Sequence, residues 1–210
     1  MKIFDIGSNH GLFTEEYINL YPDSEIICIE ANLDLCHLLV DKFQKYPNIS
    51  VYNYLVSQKS NEYIDFYINA NCDGVSTAST NWINNSRFNG DQWVSPVKVE
   101  SISLDDLIDS TFKPDMIKID VEGYENVVIK GLTHKVELIQ FEWAEEEMDS
   151  IRDTCSYLKS IGYTRFAYKL EDKPYSYIPS IEEYSSLEKW NFFEMLVPSR
   201  KEKWGMIYVK

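Results

Sequence analysis

The stretch IFDIGSNHGLFT, residues Ile3–Thr14, decides the fold of this chain. An apolar strand runs into the acid Asp5, a loop with glycines four residues apart follows, and a helical pattern then begins. Nineteen residues after Gly11, the apolar run Ile26–Ile29 ends in a second acid, Glu30. A strand, a glycine turn, a helix and a strand that ends in an acid are together typical of a nucleotide-binding half-fold.

The spacing of the loop indicates which nucleotide it suits. Loops that bind dinucleotides read Gly-x-Gly-x-x-Gly and seat a pyrophosphate on the helix N-terminus. Here the pattern is Asp-x-Gly-x-Asn-x-Gly, with fewer glycines and an acid before the loop. This pattern suits a cofactor that has no phosphates and carries a cationic amino-acid tail. We therefore predict S-adenosylmethionine as the cofactor and regard a dehydrogenase as the least favoured class.

Composition excludes several other classes. The 210 residues fit a single domain, 1–210, and carry a formal net charge of −14. Nucleic acids and anionic membranes bind basic surfaces, so neither is an expected partner. The four cysteines form no CxxC pair, and no secretory signal or long apolar run is present, which favours a cytoplasmic protein without zinc. Because the first strand begins almost at Met1, we expect a domain cut from a longer protein.

Strands and helices alternate along the chain, which predicts a mostly parallel sheet with helices on both faces. The apolar run 49–56 is predicted as a third strand, and 61–68 and 94–101 as an antiparallel pair. Residues 69–93 between them form a long loop, expected on the acceptor side. Ligands of such sheets bind at the carboxyl ends of the strands. Four of the predicted strands end there in acids: Asp5, Glu30, Asp120 and Glu142.

Several residues near the first two strands are candidates for cofactor binding. Glu30 can accept hydrogen bonds from both ribose hydroxyls, although a solvated acid at a strand end is the plain alternative. Gly7 and Gly11 allow close backbone approach and a positive φ. The remaining candidates are Asn9 and His10 for the methionine carboxylate, Thr14 for the loop or cofactor, Asp5 for the loop or the ammonium group, and Ser57 and Asn32 near the adenine.

A second group of charged residues lies in the apolar segment Met116–Val121. Lys118 and Asp120 lie on the same side of a strand, and Glu122 enters the turn that follows. Charges in such a segment are costly to bury unpaired. They predict either a structural ion pair of Lys118 or a general base beside the methyl donor.

These motifs, taken in order, resemble the FkbM family of S-adenosylmethionine-dependent O-methyltransferases. The resemblance covers roughly residues 2–145 and rests on five stretches: DIGSNHG at 5–11, Glu30, SLDDL at 103–107, IKIDVEGYE at 117–125 and KGL at 130–132. KIDVEG is the most specific part, and His10 is a departure from the small or apolar residue usual there. The resemblance implies a Rossmann-like class I methyltransferase fold, a three-layer α/β sandwich whose seven-stranded, mostly parallel sheet ends in an antiparallel strand.

The resemblance also implies methyl transfer to a hydroxyl of a sugar, a glycan or a polyketide-like small molecule. A positioned base assists such a reaction by about 10²–10⁴-fold. Asp120 is the first candidate for this base, Glu122 the second and Glu142 the third, while Lys118 can orient the base or stabilise the alkoxide. The three acids can instead bind Mg²⁺, which we do not favour, and we assign no metal ligands. Three aromatic residues are candidates for acceptor contact: Trp82, Trp93 and Trp143.

Two other functions stay open from the sequence. An RNA ribose methyltransferase also pairs a lysine with acids at the strand ends, although the net charge of −14 opposes it. A cofactor-binding module without catalysis is the second alternative. The sequence does not indicate the oligomeric state.

Overall fold

The computed structural model describes residues 1–170, 174–190 and 204–210. Its main element is a seven-stranded sheet in the order β3-β2-β1-β7-β8-β10-β9. Only β10 runs antiparallel to its neighbours, β8 and β9, so the predicted antiparallel last strand is confirmed. The seven strands are β1 (Lys2–Ile6), β2 (Glu25–Glu30), β3 (Ile49–Asn53), β7 (Met116–Ile119), β8 (Leu138–Ala144), β9 (Phe166–Leu170) and β10 (Trp204–Val209).

A small second sheet lies beside the main one. Its strands are β4 (Leu55–Ser57), β5 (Tyr63–Phe66) and β6 (Val97–Ser103), and β5 pairs antiparallel with β6 as predicted. The single third strand predicted over 49–56 is wrong, because the chain changes sheets after Asn53. The Asn53 side-chain amide donates to the carbonyls of Glu30 and Ala31, which ends the pairing with β2. The chain then pairs through β4 with β6.

Helices cover both faces of the main sheet and complete the predicted three layers. On one face, Ile117, Ile119 and Phe141 pack against buried residues of α4, α5 and α6. On the other, Ile3 and Ile26 pack against α1 and α2. The central strands are buried on both faces, which explains their continuous apolar runs. Within the described residues, the α-helices are α1 (Leu12–Leu20), α2 (Leu33–Phe43), α3 (Thr80–Asn85), α4 (Leu104–Ser110), α5 (Glu125–Ile129) and α6 (Met148–Ser160).

Side chains cap the N-termini of α4 and α2. The Ser103 hydroxyl accepts a hydrogen bond from the Asp106 N–H at the start of α4, as the SLDDL sequence predicts. The Asn32 side chain caps α2 in the same way through the Asp34 N–H. Within the described ranges, no helix is long and apolar enough to cross a membrane.

Candidate functional site

A cavity of about 440 Å³ opens at the carboxyl ends of β1, β2, β7 and β8. This volume lies within the range of small-molecule sites, and its position is the one expected for ligands of a parallel sheet. Eight of the thirteen candidate site residues line it: Gly7, Asn9, His10, Glu30, Lys118, Asp120, Glu122 and Glu142.

The glycine loop after β1 needs its glycines for two reasons. Gly7 has a φ of +70°, and a Cβ there would lie 1.9 Å from the Asp120 carbonyl oxygen. Gly11 begins α1 with a φ of +73° and packs against Leu39 and Phe43 of α2. The predicted positive φ is therefore present at both glycines, but the close neighbours of Gly11 belong to α2 and not to the cavity.

Glu30 orders the glycine loop from the end of β2. One carboxylate oxygen accepts the Asn9 N–H at 2.8 Å, and the other accepts the Asn32 N–H at 2.9 Å. Burial raises the pKa of this carboxyl above its ordinary value, and the two N–H donors oppose the rise. A carboxylate has about four lone-pair positions, so Glu30 keeps acceptor capacity towards the cavity that it lines.

Asp5 and Thr14 lie beneath the loop and are fully buried. The Thr14 hydroxyl donates to Asp5 Oδ2 at 2.7 Å, and Lys118 Nζ lies 3.2 Å from Asp5 Oδ1. The Lys118 ammonium also donates to the Gly7 carbonyl at 2.8 Å and lies 3.7 Å from Asp120. Burial lowers the pKa of Lys118, but the charges of Asp5 and Asp120 outweigh it, so the pKa lies above its ordinary value. Lys118 is thus a permanent cation that joins the loop to β7.

Three carboxylates meet beyond the ends of β7 and β8. Asp120, Glu122 and Glu142 each place an oxygen so that all three oxygens lie within 4.8 Å of one another. The sequence did not show this convergence. Burial raises the pKa of Glu122 well above its usual range, and the charges of Asp120 and Glu125 add to the rise. Burial likewise raises the pKa of Glu142, with further contributions from Glu122 and Asp120.

Such a cluster can do one of two things chemically. A carboxylate whose pKa lies near the working pH is an efficient general base. Three carboxylate oxygens in this arrangement are also ligands that Mg²⁺ accepts. The geometry suits both uses.

The segment 69–93 contributes Asp73, Trp82 and Arg87, among others, to the lining of the cavity. His10 Nε2 lies 3.0 Å from Asp73 Oδ2, with both side chains about half exposed. Arg87 makes a bidentate ion pair with Glu146 at 2.7 and 2.8 Å. Trp82 is buried at 2% exposure and lines the cavity from α3. The segment is therefore tied at both ends of the cavity, at the glycine loop and beyond β8.

Comparison with protein-family models gives one match over most of the chain. The model of the methyltransferase FkbM domain matches residues 5–165. The chain belongs to the FkbM methyltransferase family. A search of curated proteins finds no significant match to the sequence of this FkbM-family chain.

Solved structures share its fold. One is a precorrin-6y C5,15-methyltransferase from Geobacter metallireducens, with a TM-score of 0.50, 13% identity, and coverage of 100% of this chain and 80% of that one. Another is fibrillarin from Aeropyrum pernix with natively bound S-adenosylmethionine, with a TM-score of 0.51, 10% identity, and coverage of 100% and 66%. Fibrillarin of Methanococcus jannaschii has a TM-score of 0.50, 10% identity, and coverage of 99% and 65%. The FkbM-family chain thus spans about two thirds of these fibrillarin chains, and at such identities the likeness shows the fold alone.

Five candidate site residues of the FkbM-family chain lie outside the cavity lining: Asp5, Gly11, Thr14, Asn32 and Ser57. Asn32 caps α2 and donates its N–H to Glu30. Ser57 is buried, with its hydroxyl 3.4 Å from that of Tyr124, and the cavity wall beside it is formed by Leu55 and Val56. In this structure these five residues support the residues that line the cavity.

Of the three aromatic candidates for acceptor contact, one lines the cavity and two do not. Trp82 lines the cavity, whereas Trp143 is 1% exposed in the core and donates its indole N–H to the Lys169 carbonyl. The expectation that Trp143 contacts the acceptor is therefore wrong. Alternation along β8 gives the reason, because Trp143 and Phe141 lie on the same face of the sheet, the one that packs against α4, α5 and α6. Trp93 does not line the cavity either.

Sequence reasoning did not single out Asp73, Thr77 or Arg87. All three lie in 69–93 and bind distant partners. Asp73 binds His10 across 63 residues, Thr77 binds the Glu122 carbonyl across 45, and Arg87 binds Glu146 across 59. A long loop rich in polar residues was the available indication, and it does not identify individual residues.

Proposed function

We propose that this chain is an S-adenosylmethionine-dependent O-methyltransferase that acts on a hydroxyl of a sugar, a glycan or a related small molecule. One observation carries the proposal. A single cavity is lined at one end by the Glu30-ordered glycine loop and at the other by the Asp120–Glu122–Glu142 cluster. A nucleoside-binding end and a base are the two parts that methylation of an alcohol requires.

The residues present fit S-adenosylmethionine. Glu30 keeps acceptor capacity for ribose hydroxyls, and the loop Gly7–Asn9 takes positive φ values at both ends, which brings its backbone to the cavity wall. Asn9 and His10 border the same wall for the amino-acid tail. When bound, the cofactor supplies an electrophilic methyl group. Orientation of the acceptor and removal of its proton are left to the chain's own side chains.

For the base, Asp120 keeps first place among the three acids. A base must be ionised to accept the proton of the acceptor hydroxyl, and Lys118 supplies a positive charge 3.7 Å from the Asp120 carboxylate. Glu122 and Glu142, whose pKa values are raised, hold a proton to higher pH and are therefore less available as bases. We expect Asp120→Asn to lower the rate by about 10²-fold or more.

The charge of the cavity supports a neutral or cationic acceptor. Among the described residues that line it, the acids are Glu30, Asp73, Asp120, Glu122 and Glu142, and Lys118 and Arg87 already bind carboxylates. An acceptor rich in phosphate, such as RNA, would meet this negative charge without a free cation to bind it. Apolar sugar faces can pack on the aromatic side chains of Trp82 and Phe88.

The cofactor half of the proposal is tested by calorimetry. We expect S-adenosylmethionine to bind the wild type and to bind Glu30→Gln at least about tenfold more weakly, since the variant loses charge-assisted hydrogen bonds. Glu25→Gln is the matched control, because Glu25 begins the same strand and its side chain is half exposed in an ion pair with Lys2. Absence of binding to the wild type would refute this half.

The acceptor half is tested with labelled cofactor and a panel of neutral hexoses, deoxysugars, amino sugars, phosphosugars and RNA, each with and without EDTA. We expect labelling of an unphosphorylated sugar that persists in EDTA. Loss in EDTA and recovery with Mg²⁺ would assign the three acids to a metal. Salt-sensitive labelling of RNA alone would replace the proposal, and cofactor binding with no labelling would leave a binding module.

A further inference from the structure

The turn that carries Glu122 has an unfavourable backbone. Glu122 has a φ of +56° and the next residue, Gly123, a φ of +79°. Glycine adopts this region freely, whereas a glutamate with its Cβ does so at a cost in free energy. The Glu122 side chain also points into a cluster with two other acids, and repulsion among them opposes that position. Both effects would move Glu122 out of the cluster unless other contacts hold it.

The contact that holds it comes from the segment 69–93. The Thr77 hydroxyl donates to the Glu122 carbonyl at 2.7 Å, across 45 residues of sequence. Thr77 is fully buried and fixed on its other side, since its backbone N–H and carbonyl both bond to Tyr67 at 3.0 and 2.8 Å. Its hydroxyl oxygen also accepts the Ser79 N–H at 2.8 Å, which directs the hydroxyl proton elsewhere, towards Glu122.

A second contact, made by Trp82, packs against the same turn. The Trp82 side chain packs against Gly123, where a Cβ would be 3.0 to 3.2 Å from three Trp82 atoms. One segment therefore holds both positive-φ residues of the turn, Glu122 by a hydrogen bond and Gly123 by packing. β7 already ends at Ile119, before this turn, so the end of the strand does not require the Thr77 and Trp82 contacts.

We propose that Thr77 is a positioning residue, whose hydroxyl holds the Glu122 backbone so that the Glu122 carboxylate stays in the cluster with Asp120 and Glu142. This inference rests on the proposed function for its kinetic consequence. It also assigns a second role to the segment 69–93. The segment lines the cavity and at the same time fixes the geometry of the cluster of Asp120, Glu122 and Glu142. Thr77 itself does not line the cavity.

The competing interpretation is that Thr77 is an ordinary buried hydroxyl that only orders its own loop. Three variants separate the two. Thr77→Val keeps the shape and removes the hydroxyl, Thr77→Ser keeps the hydroxyl, and Ser76→Ala loosens the same segment away from the turn, because the Ser76 hydroxyl accepts the Asn69 N–H.

Hydrogen exchange measured by mass spectrometry on a peptide spanning 119–126 is the first readout. We expect exchange there to rise about tenfold in Thr77→Val, as for the loss of one buried hydrogen bond, and to change less than about twofold in Thr77→Ser and Ser76→Ala. Unchanged exchange in Thr77→Val, or an equal rise in Ser76→Ala, overturns the inference.

The second readout is a double-mutant cycle with the best acceptor of the sugar panel. We expect Thr77→Val to lower kcat about tenfold with the KM for S-adenosylmethionine unchanged, and to have less than about a twofold effect in a Glu122→Gln background. The same loss in both backgrounds overturns the inference, because Thr77 would then act independently of Glu122. If no acceptor is methylated, the proposed function fails while the exchange readout still decides the role of Thr77.

Discussion

Replacing Lys118 by methionine separates a structural from a catalytic role for this lysine. Its ammonium lies 3.2 Å from Asp5, which is fully buried and has the Thr14 hydroxyl as its other partner. Methionine fills a similar space but leaves the Asp5 carboxylate buried without a countercharge. Breaking a buried pair in this way costs about 3–5 kcal/mol. The Gly7 carbonyl, which Lys118 binds at 2.8 Å, loses its donor as well.

Urea unfolding followed by tryptophan fluorescence measures this cost. With an m-value of about 2 kcal/mol/M for a domain of this size, a loss of about 4 kcal/mol lowers the midpoint by about 2 M. Adding Asp5→Asn to Lys118→Met removes the unpaired charge and should recover most of the loss. Lys98→Met is the control, because Lys98 and Asp65 form an exposed pair at 2.8 Å that is worth at most about 1 kcal/mol. A loss below about 1 kcal/mol in Lys118→Met, or no recovery with Asp5→Asn, would refute this role.

Two further predictions concern backbone and charge at the same site. Gly7→Ala should lower stability by more than the roughly 1–2 kcal/mol of a left-handed alanine, since its Cβ would also collide with the Asp120 carbonyl. Gly162→Ala, with a φ of +102° and open space around it, should show the backbone cost alone, and equal thermal shifts would contradict the clash. Glu125→Gln tests the buried charge of the Glu125 carboxyl, because burial raises its pKa to about 7 from its ordinary 4.5. A raised folded-state pKa gives stability that is present below pH 4.5 and lost as the pH rises through 7, so the variant should gain up to about 3 kcal/mol over wild type at pH 8 and almost nothing at pH 4. An equal effect at both pH values in urea titrations would show that the charge is not responsible.

Local patterns in the sequence predicted much of the fold. Apolar runs that end in acids located β1, β2, β7 and β8, and these strand ends do meet around one cavity. Period-two alternation places Lys118 and Asp120 on one side of their strand, and the ion pair at 3.7 Å agrees with this. These predictions succeeded because each depends on residues close together in the chain and on a sheet order common to the fold.

Most of what the sequence did not predict depends on partners that are distant in the chain. Lys118 and Asp5 are 113 residues apart, and only the register between β1 and β7 sets them side by side. The single strand predicted over 49–56 fails because the Asn53 side chain binds the carbonyls that follow β2. Trp143 is different, since strict application of alternation to β8 would have placed it with Phe141 in the core.

The glycine loop and the acid cluster are joined by backbone contacts and by the buried side chain of Lys118. The Asp120 N–H donates to the Ile6 carbonyl at 3.1 Å, and the Gly7 Cα packs directly on the Asp120 carbonyl. Lys118 then binds the Gly7 carbonyl and the Asp120 carboxylate at once. Because the separation between the cofactor end and the first candidate base is set by these contacts, substitutions in the cavity wall can change it very little. The segment 69–93 lines another part of the cavity, so we expect differences in acceptor among chains built on this scaffold to arise there.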